Sequence, residues 1–145
     1  MFQLSINDLS QAEFLSQYWQ KKPLLIKQGF RNFEDPISPD ELAGLAQEEC
    51  IESRIITNAN DKWKAHHGPF EEFDLLTETH STLLVQAVDH WHPDSARLLE
   101  PFRFIPNWRI DDLMISFSTL DNASSNSFNC IFKLSNQIQF MLRSS

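Results

Sequence analysis

The chain has 145 residues, of which 41% are hydrophobic and 22% charged, and this is the length and composition of one globular domain. Twelve basic and twenty acidic residues give a net charge of −8, which argues against a surface that binds nucleic acid through its phosphates. Residues 1–118 carry −9 of this charge and residues 119–145 carry +1.

Several other classes of protein are excluded by simple patterns. The first residues lack the basic and apolar regions of a secretory signal, and no stretch reaches the roughly 18 to 20 apolar residues of a membrane span. With three glycines and no Gly-x-Ser-x-Gly motif, the chain has neither a phosphate loop nor a hydrolase elbow. Cys50 and Cys130 have no metal-ligand spacing. We predict a reduced, cytoplasmic protein.

Two short helices are predicted in the first fifty residues. The first lies in residues 10–20, where an amphipathic stripe consists of Phe14, Leu15, Tyr18 and Trp19. A lysine pair and a proline end this helix, and a strand is expected at 24–26. Ser38 and Glu41 have the spacing of a capping box, with a proline at the first helical position. The second helix should therefore run from about 38 to 49.

The middle of the chain predicts strands and a further short helix. Residues 52–57 and 62–66 flank the polar turn 58–61, which is typical of a hairpin. An extended run is expected at 81–91, and a short helix at 93–102.

Residues 113–118 predict a half-buried strand, because apolar and more polar side chains alternate along it. One face carries Leu113, Ile115 and Phe117, and the other carries Met114, Ser116 and Ser118.

Three strings, at 14–26, 35–46 and 109–118, resemble the N-terminal part of bacterial JmjC-type ribosomal oxygenases. The resemblance covers about residues 8–118. It implies an α+β fold, an incomplete cupin jelly-roll (double-stranded β-helix) with short peripheral helices. Family members are iron(II) and 2-oxoglutarate-dependent dioxygenases that hydroxylate an arginine of a large-subunit ribosomal protein. The implied partner is thus a ribosomal protein, which would suit the net acidic residues 1–118.

In that family a His-x-Asp pair and a later histidine hold the iron, all downstream of the strand that matches 113–118. This sequence has no histidine after His92. Arg143 is not a convincing counterpart of the arginine that binds 2-oxoglutarate. We therefore expect a fragment that is inactive alone and holds neither iron nor 2-oxoglutarate by itself. Whether the chain is an enzyme stays open, and the alternative is a non-catalytic binding or regulatory module derived from that fold.

The chain divides at residue 118 in this interpretation. Residues 1–118 are the N-terminal part of the JmjC/cupin domain, and 119–145 are a divergent tail rich in Ser and Asn. A loop is expected over 119–130, followed at 131–142 by either a strand or a weak helix. A frameshift, a truncation or an insertion junction would each produce such a tail.

We predict no catalytic and no metal-binding residue in this chain. The metal candidate is the segment 89–94, since His90 and His92 would point the same way on a strand. Pro93 and the opposite orientation of Asp89 favour structural histidines instead, and the same holds for His66, His67 and His80.

The substrate-facing positions implied by the resemblance are Asp111, Asp112, Met114, Ser116 and Ser118. The two aspartates would meet an arginine at the mouth of the barrel, and the other three would face its interior. The alternative for each is an ordinary position on a strand or at its solvated start.

The strand 113–118 is also expected to lie at an unpaired sheet edge, because the strands that follow it in the family are missing. Such an edge invites aggregation or self-association. Residues 131–142 would relieve this only by folding back as a substitute strand.

Overall fold

The computed structural model describes residues 2–6, 9–26, 29–31, 33–77, 80–118, 127–134 and 138–143, the last two segments as backbone. The helices are α1 (Gln11–Gln17), α2 (Pro39–Ala46) and α3 (Pro93–Ala96), and shorter 3-10 segments lie at Val88–His90, Arg97–Phe102 and Asn107–Arg109. The strands are β1 (Gln3–Leu4), β2 (Phe30–Arg31), β3 (Ser53–Ala59), β4 (Lys62–His67), β5 (Ser81–Val85), β6 (Leu113–Ser118), β7 (Ser127–Leu134) and β8 (Ile138–Arg143).

Six of these strands form one antiparallel sheet in the order β4-β3-β5-β6-β7-β8, and β1 pairs with β2 in a small separate sheet. The fold is therefore α+β with few and short helices, as predicted. Within the described ranges, no helix has the length and apolar content needed to cross a membrane.

Both predicted helices begin at capping boxes. The Ser38 backbone N–H and hydroxyl donate to Glu41 Oε2 at 2.9 and 2.7 Å, and the Glu41 N–H donates back to Ser38 Oγ at 3.3 Å. Ser10 and Glu13 repeat this arrangement at the start of α1. These hydrogen bonds to the charged carboxylate lower the pKa of Glu41 below its ordinary value of 4.5. The second helix ends at Ala46, earlier than expected.

The predicted hairpin is confirmed, and each of its strands is one residue longer than expected. Asn60 and Asp61 take left-handed φ angles of 52° and 57° between β3 and β4. Two consecutive left-handed residues are typical of the two-residue turns that match the twist of a hairpin.

The hydrophobic core lies between the helices and one face of the sheet, which we call the helix-side face. At its centre are fully buried side chains of the sheet and of the elements that cover it: Leu42, Ala46, Ile55, Leu83, Val85, Leu98, Phe102, Leu113 and Ile115. We call the opposite surface the far face; β5 and β6 present Thr82, Leu84, Met114, Ser116 and Ser118 there.

The predicted extended run at 81–91 is wrong beyond Val85. Ala87 takes a left-handed φ of 52°, and the chain then turns into the 3-10 segment at Val88–His90. A strand cannot continue through a left-handed residue, so the alternation stops there. Residues 24–26 form no strand either. The helix expected at 93–102 is α3 followed by 3-10 turns.

The expectation that β6 lies at an exposed edge is also wrong. β7 pairs antiparallel with the whole of β6, placing Phe128, Cys130 and Phe132 opposite Phe117, Ile115 and Leu113. Residues 127–130 are thus strand rather than loop, and of the two alternatives left open for 131–142, the strand is found at 131–134 and 138–142. The rest of the predicted loop, 119–126, and residues 135–137 lie outside the described residues. The edges of the sheet are β4 and β8.

Candidate functional site

The predicted substrate-facing residues lie on and just before β6, in the middle of the sheet. Met114, Ser116 and Ser118 occupy the far face, while Asp111 and Asp112 precede the strand. The structure thus brings three of the five residues to one face and places the aspartates at its end.

The far face is polar where β5 meets β6. The hydroxyl groups of Thr82 and Ser118 are hydrogen bonded at 3.1 Å, and Ser116 lies opposite Leu84. Ser116 is only 3% exposed, whereas Met114 and Ser118 are half-buried. The result is a hydroxyl-lined surface bordered by the apolar side chains Leu84 and Met114.

The start of β6 is fixed by two hydrogen bonds from the segment that follows β5. Gln86 Nε2 donates to Asp112 Oδ2 at 2.5 Å, and the backbone N–H of Leu113 donates to Asp89 Oδ1 at 2.8 Å. Gln86 and Asp89 therefore position β6, a role that no local sequence signal reveals, because the bonds join residues 26 and 24 positions apart. Asp111, beside this support, is exposed.

The Asp112 carboxylate accepts its hydrogen bond from a neutral amide, whereas Asp89 accepts from a backbone N–H and also lies 3.5 Å from the His90 ring. The nearby acidic groups Asp94 and Glu100 are instead paired with Arg97 at 2.9 Å and Arg103 at 2.7 Å. At the start of β6, Asp112 differs from these groups in that its hydrogen-bond donor, Gln86, is neutral.

Of the histidines in segment 89–94, His92 has a local structural role and His90 lies at the surface. His92 Nδ1 accepts a hydrogen bond from the Ser95 N–H at 3.2 Å and so caps α3. His90 is 66% exposed and lies 3.5 Å from the Asp89 carboxylate. His66 and His67 are neighbours on the edge strand β4 and therefore point to opposite faces. Among the described residues, no three His, Cys, Asp or Glu side chains come together in a metal-binding group.

A separate cleft of about 430 Å³ lies between β1, β2 and the 3-10 segment at Arg97–Phe102. Its lining includes Gln3, Arg31 and Phe104, and none of the predicted substrate-facing residues.

Comparison with known proteins identifies relatives of this chain. The ribosomal protein uL16 3-hydroxylase of Escherichia coli is 56% identical over 117 residues, which are 81% of this chain and 31% of that protein. The probable ribosomal oxygenase of Haemophilus influenzae is 39% identical over 108 residues, 72% of this chain and 26% of that protein. The chain is homologous to the N-terminal part of the bacterial ribosomal oxygenases. It spans about a third of the length of these relatives.

Solved structures of a ribosomal oxygenase agree with this assignment. The E. coli ribosomal oxygenase YcfD matches with a TM-score of 0.75 and 56% identity, over 81% of this chain and 32% of YcfD. Its complex with cobalt and 2-oxoglutarate matches with a TM-score of 0.76 and 55% identity, over 82% of this chain and 32% of that one. No protein-family model matches the chain.

Proposed function

We propose that this chain carries the N-terminal part of an iron(II) and 2-oxoglutarate-dependent oxygenase that hydroxylates an arginine of a large-subunit ribosomal protein. The observation that carries the proposal is 56% identity over 81% of the chain to a ribosomal protein uL16 3-hydroxylase. A cytoplasmic location and a ribosomal-protein partner follow from the same relationship.

We further propose that the 145 residues alone are inactive. Iron bound by this family would need several nitrogen and carboxylate ligands on one surface. The described histidines do not fit that requirement, since His92 uses Nδ1 to cap α3 and His66 and His67 diverge on β4. The residues that the structure describes therefore do not fit iron, and no catalytic step is assigned to them.

The proposed fold is an incomplete jelly-roll, in which 1–118 belong to the JmjC/cupin domain and 119–145 are a divergent addition. Support comes from the TM-score of 0.75 over a part of the chain that matches only 32% of YcfD. An eight-stranded barrel needs more strands than the six of this open sheet.

Asp111, Asp112, Met114, Ser116 and Ser118 are the proposed substrate-facing residues. An arginine side chain is recognised best by carboxylates that are not already paired with another cation. The Asp112 carboxylate meets this condition, because the hydrogen-bond partner found for it is the neutral amide of Gln86.

The experiment is to mix the purified chain with iron(II), 2-oxoglutarate and an arginine-containing uL16 peptide, and to measure succinate and peptide mass. We expect no succinate above a metal-free control and no mass increase. Iron-dependent succinate formation would contradict the inactivity and would make the 89–94 segment a candidate for the ligands.

The alternative is a non-catalytic binding module derived from the same fold, and it is supported by the net charge of −8 and by the intact pairing of β6 on both sides. Binding of the same peptide without succinate formation, measured by calorimetry, distinguishes such a module from a fragment that has lost its partner as well as its activity. Peptide binding that is weakened by Asp112→Asn but not by Asp61→Asn would favour the module, since Asp61 lies in the distant β3–β4 turn.

A further inference from the structure

The two edges of the six-stranded sheet differ in how well they resist pairing with another strand. β4 carries Lys62 and Lys64, and all of its side chains except His66 are exposed. Charged residues of this kind, lysine above all, are a common protection of an edge. β8 has one charged residue, Arg143, in its six positions, and among the described strands it pairs only with β7.

The strand register extends the apolar pattern of the core as far as β8. Leu134, Phe132 and Cys130 lie opposite Ile138, Phe140 and Leu142, on the helix-side face. Gln139, Met141 and Arg143 occupy the far face. Among the described elements, β7 and β8 have extensive contacts only with β6 and with each other.

We propose that β8 pairs antiparallel with β8 of a second copy of this chain and forms a symmetric dimer. A two-fold axis perpendicular to the sheet keeps the helix-side faces of both copies on the same side. In the register centred on Phe140, that residue lies opposite its own copy and Ile138 lies opposite Leu142 of the second chain. Positions 138, 140 and 142 of each β8 would thus form three apolar cross-strand pairs at the interface, and such pairs stabilise a sheet.

The distribution of charge does not oppose a second copy at β8. The negative charge of −9 belongs to residues 1–118, whereas 119–145 carry +1. In the proposed dimer, five strand spacings separate the two β6 strands, about 24 Å. This exceeds the screening length of about 8 Å at physiological ionic strength by threefold. The acidic parts of the two copies therefore repel each other little, although each chain has a net charge of −8.

The first experiment measures the mass of the full chain by light scattering across a wide range of concentration, with Phe140→Lys as the test variant. We expect twice the mass of one chain for the native protein. Phe140→Lys should raise the dissociation constant roughly a hundredfold, because each dimer loses two phenylalanines and places two positive charges opposite each other. Gln139→Lys is the matched control, since it adds the same charge on the far face, and it should weaken the dimer less.

Cysteine pairing tests the register independently of any loss of stability. Adjacent antiparallel strands bring opposite Cα atoms to about 4.5 to 5.5 Å, within the range that a disulfide spans. Both native cysteines are first replaced, by Cys50→Ser and Cys130→Ser, because Cys130 lies opposite residue 142 in the same chain. In that background Phe140→Cys should form a covalent dimer on mild oxidation. Leu142→Cys should not, because the two copies of residue 142 are four positions apart along the strands, about 13 Å.

A native chain that stays monomeric at all concentrations would overturn the proposal. Equal disulfide formation by both cysteine variants would overturn it as well, because the register predicts a disulfide only at position 140. Assemblies of more than two chains would also contradict it, because the symmetric pairing leaves no free β8 edge. None of these results depends on oxygenase activity, so the dimer and the proposed function can fail separately.

Discussion

The two faces of β6 differ in burial, although they consist of alternate residues of the same six-residue strand. On the helix-side face, Leu113 and Ile115 are completely buried among side chains of the helices and 3-10 turns. On the far face, Met114 and Ser118 are half-buried and contribute to the proposed substrate surface. Stability and binding should therefore respond to different substitutions, although the residues involved are neighbours in sequence.

The largest difference between the faces should appear on truncating one large side chain from each. Ile115→Ala removes a fully buried side chain and should lower the free energy of unfolding by about 2 to 5 kcal/mol. Met114→Ala, one residue earlier on the half-buried face, should cost less than half as much. Urea denaturation measures both, and equal losses would show that the far face is packed as tightly as the core.

The next effect concerns the support of β6 from outside the sheet. Asp89→Ala leaves the Leu113 N–H without its acceptor in a site where the aspartate is only 10% exposed, so we expect a loss of about 1 to 3 kcal/mol. Asp89→Asn keeps an acceptor oxygen at the same place and should lose less. If both variants were as stable as the native chain, Asp89 would not position β6.

A smaller effect is expected at the start of α2, which packs against β5 on the helix-side face. Ser38→Ala removes the side chain that caps the helix and should cost about 1 kcal/mol. Ser16→Ala is a suitable control, because its exposed hydroxyl bonds only to a carbonyl within α1. Thermal unfolding compares the two, and a similar loss for both would argue against a capping role.

The smallest effect is a pH dependence from the same cap. The pKa of Glu41 is lowered by its hydrogen bonds to Ser38, so the ionised form is favoured in the folded chain. Its contribution to stability is present above the ordinary pKa of 4.5 and is lost as the pH falls through the lowered value. Thermal unfolding from pH 6 downward should show less acid destabilisation for Glu41→Gln than for the native chain. An unchanged profile would mean that this exposed carboxylate is screened by solvent.

Local signals predicted much of the fold. The amphipathic stripe within residues 10–20, the capping box at Ser38, the polar turn at 58–61 and the alternation along 113–118 each depend on residues a few positions apart, and the structure contains all four elements. The end of β5 depends instead on the left-handed Ala87. Alanine has no preference for that conformation, so the sequence carries no warning of it.

The strands β7 and β8 were not predicted from the sequence. Alternate residues of 128–134 are apolar, and so are those of 138–142. The polar residues at 135–137 separate these two alternating patterns, and the additional apolar residues Ile131 and Met141 make each pattern harder to recognise. The support of β6 from outside the sheet was not predicted, for a different reason. Gln86 and Asp89 reach the start of β6 across more than twenty residues, and such contacts have no local signature.

The order of strands in the sheet also bears on how the chain acquires its structure. The β3–β4 hairpin and the β6–β7–β8 meander join strands that are neighbours in sequence, whereas β5 meets β6 only after residues 86–112 have formed a loop. Closing a long loop costs entropy before any contact rewards it, and such pairings form slowly. We therefore expect β5 and β6 to pair late in folding, after the hairpin and the meander have formed. The backbone amides between β5 and β6 should be the last in the sheet to become protected from hydrogen exchange during refolding.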